Sequence, residues 1–419
     1  MRVLTKSIVF KFSRLLIPIG LFFFLLSHSG FAQDYWSALQ NLEFDEAETH
    51  ISGKENELDY KKFLWAMQLT VDGDIELAQK IMNELTFSSK DSAVADNAVI
   101  VLGELWFLQN RWDSFIATKP YVKEYEGNAF SLVKAFADVP EEKYVYSETE
   151  VKLPFKLSVS GCPIITVEVN GKKTRLWLDT GASMTALSSD LANELGIEKI
   201  SYDTTSALTG TTKKVGVQPA LIDSLRIEGI EIYNHPAVIL ASEDLEFKFA
   251  GITFLKIDGI IGYNALKNFD IEINYRRKRI RFREPVLNDK VERNLFWLGV
   301  PIVRLKTEDG IPLHFFIDTG ASKTNLFEEI FRKVRFENVK EKQVLIGSAG
   351  GIERLNSKKV PGLTLLLKED TLNILNPVTV LSPIQPFVKL HGILGADAFA
   401  GKILHLNHAN GVIEINPAE

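Results

Sequence analysis

The sequence predicts a multidomain protein: an N-terminal all-α region of helical hairpins, followed by two similar all-β lobes. Three observations carry this. Between residue 33 and about residue 140, apolar residues recur at helical spacing, and the breaks fall at Gly73 and Asn110. From residue 153 onward the pattern changes to alternating or continuous apolar runs, broken by the hairpin turn signals Asn170-Gly171, Asp309-Gly310 and Asn410-Gly411. Within that second half one pentapeptide occurs twice, as Asp179-Thr180-Gly181-Ala182-Ser183 and Asp318-Thr319-Gly320-Ala321-Ser322, 139 residues apart.

At 419 residues the chain has room for several domains, and its 46% apolar and 24% charged content is that of a globular protein. A net charge of −6 argues against nucleic acid as a partner. The first 32 residues read as an export signal. Arg2, Lys6, Lys11 and Arg14 give a basic start, and Leu15 to Leu26 is an apolar run too short for a spanning helix, which needs about 20 residues. Gly30-Phe31-Ala32 supplies small residues at a cleavage site, so cleavage is expected after Ala32. The competing reading is an uncleaved anchor. Cleavage would leave a periplasmic or secreted chain with no stable membrane span and a net charge of about −10. The segment has no cysteine to carry a lipid. Cys162, the only cysteine, cannot form an internal bridge; beside Pro163 it reads as a small core residue.

Residues 33–140 form the helical domain. Phe63, Leu64, Met67 and Leu69 mark one helix, and Val71-Asp72-Gly73-Asp74 ends it. Asp74 is placed to cap the next helix, which holds Leu77, Ala78, Ile81, Met82 and Leu85. Val99 to Phe107, the turn at Gln109-Asn110, and Trp112 to Val122 repeat the unit; a turn and helix also fall at Leu42 to Ala47. Helical hairpins at a period in the thirties resemble tetratricopeptide repeats, with Leu102-Gly103 and the small Ala66 and Ala78 as the matching positions. Two roles stay open: a concave surface that recruits a protein partner or substrate, or a spacer or prodomain. Trp65, Trp106 and Trp112 are expected in the core.

Residues 138–152, rich in glutamate, are expected to be a linker. Beyond it lie a first lobe at 150–287 and a second at 288–419, each with the same order of parts. A strand (Pro163 to Val169; Pro301 to Leu305) turns into a second strand that ends on the aspartate. Hairpins follow at Gly210 and Gly347. Each copy closes on an apolar pair between glycines, Gly259-Ile260-Ile261-Gly262 and Gly392-Ile393-Leu394-Gly395, and then a final hairpin.

A lone Asp-Thr-Gly is weak evidence. Two copies in matching surroundings resemble the retropepsin-like aspartyl proteases in a tandem, single-chain form, over residues 150–419. The resemblance implies two barrel lobes with Asp179 and Asp318 as the catalytic pair. It implies that Thr180 and Thr319 interlock across the lobes and that Ser183 and Ser322 hydrogen-bond the outer carboxyl oxygens. It also implies that Ile260-Ile261 and Ile393-Leu394 pack beneath the catalytic loops. Gly181 and Gly320 permit the tight turn. Two carboxyl groups held together share one proton, so one can activate water while the other protonates the substrate. Neither metal nor cofactor is required. The substrate would be an extended peptide or protein segment. The hairpins at Gly210 and at Gly347, Gly350 and Gly351 are the flap candidates.

The basic run Arg276 to Arg283 reads as a half-buried strand with one solvated face, and His405 and His408 lack the acidic or cysteine neighbours of a metal site. Three alternatives compete. One is a catalytically silent scaffold acting through the helices. Another is a protease active only when lobes pair between chains. A glycosidase using paired carboxyls would explain neither the duplicated loop nor the hairpins.

Overall fold

The computed structural model describes residues 30–118, 128–200, 205–209, 214–249, 252–288, 290–382 and 386–418. The apolar run at 15–26 and most of the segment read as an export signal lie outside the described residues. Among the described residues no helix is long and apolar enough to cross a membrane.

The helical region runs α1 (Gly30–Gln40), α2 (Phe44–Thr49), α3 (Glu57–Asp72), α4 (Ile75–Ser88), α5 (Ser92–Leu108), α6 (Trp112–Ala117) and α7 (Asn128–Phe136). Gly73 ends α3 in a left-handed conformation at φ +89°, and Asp74 caps α4 by accepting from the Leu77 N–H at 3.3 Å. Asp91 caps α5 in the same way, accepting from Ala93 and Val94. α6 stops at Ala117, short of the expected Val122, which lies outside the described residues. Phe63, Ala66, Met67, Ala78, Met82 and Leu102 form the helical core. Trp106 and Trp112 are buried, but Trp65 is 49% exposed. It shares a helix face with Leu58, one heptad back, which is 64% exposed. That face stays largely open to solvent among the described residues, and helical spacing alone cannot tell a third face from the core.

The stretch 138–152, expected as a linker, is built into the lobes. Lys143–Tyr146 adds an antiparallel edge strand to Ile230–Tyr233, and Glu150–Pro154 pairs with Arg279–Arg283. Both segments alternate exposed with half-buried or buried residues, as a strand covered on one face does.

Each lobe is a sheet curled around its own core. In the first, Pro163–Val169 pairs with Lys172–Leu178 across the Asn170-Gly171 turn, where Asn170 and Gly171 both have positive φ. The three-residue strand Gly259–Ile261 is inserted between Lys172–Leu178, to which it is parallel, and Thr185–Ser188. The second lobe repeats this with Pro301–Thr307, Pro312–Ile317, Gly392–Leu394 and Asn325–Leu326. The lobes are joined by a five-stranded sheet, ordered Glu150–Pro154, Arg279–Arg283, Asp270–Asn274, Lys402–Asn407, Val412–Pro417. Its central pairing, Ile271 to Leu406 and Ile273 to Leu404, crosses between lobes of the same chain. The basic run behaves as expected: Ile280 and Phe282 are buried, while Arg281 and Arg283 reach Glu150 at 3.2 and 3.8 Å.

The helical region is fastened to both lobes. Trp36 and Phe63 pack on Phe387, and the Lys389 N–H donates to Gln40 O at 2.9 Å. Lys333 pairs with Glu43. The Arg293 guanidinium lies against both Gly73 and Gly411, so a side chain at either glycine would collide with it. α7 lies beside the strands Thr205–Leu208 and Lys214–Ile227 of the first lobe.

Candidate active site

Both aspartates sit just past the end of a strand whose last residues are buried on alternate sides, Trp177-Leu178 and Phe316-Ile317. The inserted central strands hold them from behind. The Asp179 N–H donates to Ile261 O and the Asp318 N–H to Leu394 O, both at 3.1 Å. Ile261 and Leu394 are fully buried beneath the loops, the place expected for them.

The two loops meet face to face. The Thr319 hydroxyl accepts from the Thr180 N–H at 3.1 Å and donates to Leu178 O at 2.7 Å. The Thr180 hydroxyl accepts from the Thr319 N–H at 3.0 Å and donates to Ile317 O at 2.8 Å. This reciprocal lock sets each loop against the other's aspartate, with Gly181 lying against the Asp318 carboxyl and Gly320 against the Asp179 carboxyl. Both aspartates are half-buried. Each also accepts from its own loop: Gly181 N–H to Asp179 Oδ1 at 2.8 Å, and Gly320 and Ala321 N–H to Asp318 Oδ1 at 2.8 and 2.9 Å.

Gly181 and Gly320 are needed for space. A Cβ on Gly181 would stand 2.6 Å from Asp318 Cγ, and one on Gly320 would stand 2.5 Å from Asp179 Cγ. The electrostatics follow from burial and like charge. Burial raises both carboxyls above the ordinary range, and the charge of Asp179 drives Asp318 well above it. The donated N–H groups pull Asp179 partly back. Cys162 is the small core residue expected. Its thiol lies beneath the pair, donating to Leu178 O at 3.2 Å, and burial plus the two aspartates push it well above its usual range.

Ser183 and Ser322 do not take the role expected of them. Both are exposed, and neither hydroxyl is hydrogen-bonded to an aspartate. The reach from the loop falls to the residue before each serine; in the second copy the Ala321 N–H fills it. Past that point the chain has turned away, toward Thr185 and Thr324.

Those two threonines are support residues that the motif reading missed. The Thr324 N–H and hydroxyl both donate to Asp397 Oδ1, at 2.7 and 2.8 Å, and the Gly395 N–H donates to Thr324 Oγ1 at 3.2 Å. In the first lobe Asn264 Oδ1 accepts from the Thr185 N–H at 2.9 Å, and the Gly262 N–H donates to Thr185 Oγ1 at 3.2 Å. Thr185 Oγ1 also meets His235 Nε2 at 2.7 Å, and Glu142 holds the other ring nitrogen. Carrying the repeat two residues past each serine and two past each closing glycine would have found these pairs.

The second flap candidate is a hairpin of Lys340–Ser348 and Gly351–Lys359, with Gly350 and Gly351 at φ +85° and +112° in its turn. Its tip touches the first lobe: the Gly350 N–H donates to Asp244 O at 2.8 Å, and Gly347 lies against the Phe247 ring. Phe247 belongs to a hairpin, Glu246–Phe249 with Ile252–Lys256, that has no counterpart among the described residues of the second copy. The first flap candidate has its flanking strands, Thr205–Leu208 and Lys214–Ile227, paired as expected, but Gly210 lies outside the described residues.

Among the described residues no three His, Cys, Asp or Glu side chains group as a metal site. His405 bonds Asp270 at 2.8 Å, which raises it, and the half-buried His408 meets the Tyr263 hydroxyl and is pushed down to about 3 by desolvation.

Residues 165–265 match the aspartyl protease family model. That segment holds Asp179, Thr180, Gly181 and the closing Gly259–Gly262 pair. Among solved structures the chain is similar to a retropepsin-like aspartic protease from Rickettsia conorii, at 20% identity and a TM-score of 0.25, over 34% of this chain and 94% of that one. No curated protein matches. The family match thus falls on the first lobe, and the second lobe repeats the strand plan of that segment.

Proposed function

We propose that the chain is an endopeptidase that hydrolyses peptide bonds by a water molecule activated between Asp179 and Asp318 of one chain. One observation carries the reading: the two carboxyls, both raised by burial and Asp318 further by the charge of Asp179, meet where two mirrored loops interlock. In that setting one carboxyl keeps its proton while the other is charged. The charged one takes a proton from water as the water oxygen bonds to the substrate carbonyl carbon. The protonated one gives its proton to the carbonyl oxygen. Collapse of the resulting diol breaks the C–N bond, and the amine leaves with a proton returned through the pair. The inter-lobe sheet supports pairing within the chain over pairing between chains. Replacing either Asp179 or Asp318 with Asn should abolish cleavage of a peptide library while the folded state persists by circular dichroism. Cleavage that survives either change, or that a chelator stops, sinks the reading.

A further inference from the structure

The inserted strand of the first lobe, Gly259–Ile261, has three residues, whereas its neighbour Lys172–Leu178 has seven. They pair only at Ile260 with Trp177 and Ile261 with Leu178. Residues 173–175 are therefore bonded to Pro163–Val169 on one side, and their other edge has no strand partner among the described residues. The missing length leaves a notch of about 420 Å³ between this edge, helix α8 (Ser189–Leu195) and the segment 256–258.

Charge in the notch is unevenly satisfied. Lys256 reaches Asp190 at 3.1 Å and Asp258 at 3.7 Å, and the exposed Glu194 of α8 is the third acid lining the notch. Lys173 and Arg175 are two residues apart on one strand and project from the same face. Both are exposed, and neither forms an ion pair with a described residue. An open strand edge beside two uncommitted cations suits an extended peptide that brings a carboxylate, which a guanidinium can grip with two parallel bonds.

We propose that this notch is an outer subsite for a carboxylate of the peptide substrate, contributed by Lys173 and Arg175; the proposal rests on the endopeptidase reading. Arg175 precedes Asp179 by four residues on a strand, which is about 13 Å at roughly 3.3 Å per residue, and an extended peptide covers that span in about four residues. The favoured acid therefore lies about four residues from the bond that is cut.

The test walks a single Asp, or Gln at the same place, along an otherwise neutral fluorescent peptide and compares kcat/KM. Asp should be favoured about fivefold to tenfold at one position near the fourth residue, and less so at high salt. The preference should vanish in Lys173→Gln/Arg175→Gln and turn toward Lys in Lys173→Glu/Arg175→Glu. Peptides ending at that position with a free or an amidated C-terminus separate a chain-terminal carboxylate from a side chain. Equal use of Asp and Gln at every position, or a preference that survives the double Gln change, overturns the subsite. The same peptides should bind the Asp179→Asn protein with the same bias by fluorescence anisotropy. Loss of that bias overturns the subsite even where nothing is cleaved, whereas bias without cleavage by the parent protein counts only against the endopeptidase reading.

Discussion

Replacing Thr319 with Val, a residue of the same shape, removes two hydrogen bonds and adds no volume. The Thr180 N–H, bonded at 3.1 Å, and Leu178 O, bonded at 2.7 Å, lose their partner where no water reaches: Thr180 is 3% and Thr319 1% exposed. Leaving a buried polar group without its partner costs about 1–3 kcal/mol, so two such groups put the expected loss of stability at about 2–6 kcal/mol. Thr180→Val strands the Thr319 N–H and Ile317 O and should cost about the same. The two hydroxyls close one lock, so the second substitution should cost less than the first, by about 1 kcal/mol in a double-mutant cycle. Urea unfolding of the two single variants and the double variant gives these values. Turnover should fall more steeply than binding, since a displacement of about 1 Å between the carboxyls can cost about a hundredfold in rate. A single variant that unfolds within about 0.5 kcal/mol of the parent, or a strictly additive double variant, refutes the interlock as the element that sets the pair.

Gly181→Ala places a methyl 2.6 Å from Asp318 Cγ, so peptide cleavage should drop to background while the helical region stays folded; retained cleavage would mean the loops do not close as described. Asp318, whose carboxyl is raised in the fold, binds its proton more tightly folded than unfolded. Its stabilising share is thus complete below the unfolded value of about 4 and lost as pH rises through the folded one, so Asp318→Asn should exceed the parent in stability at pH 7 and match it near pH 3. Urea midpoints across that range decide this, and a gap that does not shrink in acid contradicts it. A chain beginning at residue 150 uncovers Phe387, on which Trp36 and Phe63 pack, and loses the edge strand Lys143–Tyr146, so it should aggregate or lose cooperative unfolding; a soluble truncation with the parent's unfolding midpoint would reverse that.

The parts most legible in the sequence were those written twice. The strand into each aspartate, the loop, the closing glycine pair and the final hairpin recur in order, and the fold superposes their roles. Legibility failed where a role passes from side chain to backbone. Ser183 and Ser322 looked like ligands of the carboxyls, yet a backbone N–H one residue earlier does that work in the second copy, and no residue type signals it. It failed again where a partner is distant. Lys143–Tyr146 is only four residues long and lies among glutamates, and only its pairing with Ile230–Tyr233 tells it from a linker. Trp65 shows the converse: helical spacing marks a face but not what covers it.

The departures from symmetry share a direction. Copy one gained the hairpin Glu246–Lys256 at the place where copy two has the segment leading to Leu390, and each serves a different neighbour. The hairpin receives the tip of the second flap through Asp244 O and Phe247. The segment receives the helical region through Phe387 and Lys389. α7 in turn lies beside the strands of the first flap candidate. A duplicated lobe pairing only with its copy would meet identical demands on both sides, and its loops would have no physical reason to diverge. Here the helical region meets the two copies through different elements, Phe387 and Lys389 of the second and the strands Thr205–Leu208 and Lys214–Ile227 of the first. The helices are thus a third packing layer against which the two copies were fitted differently, and a spacer that touched neither lobe would not have produced that asymmetry.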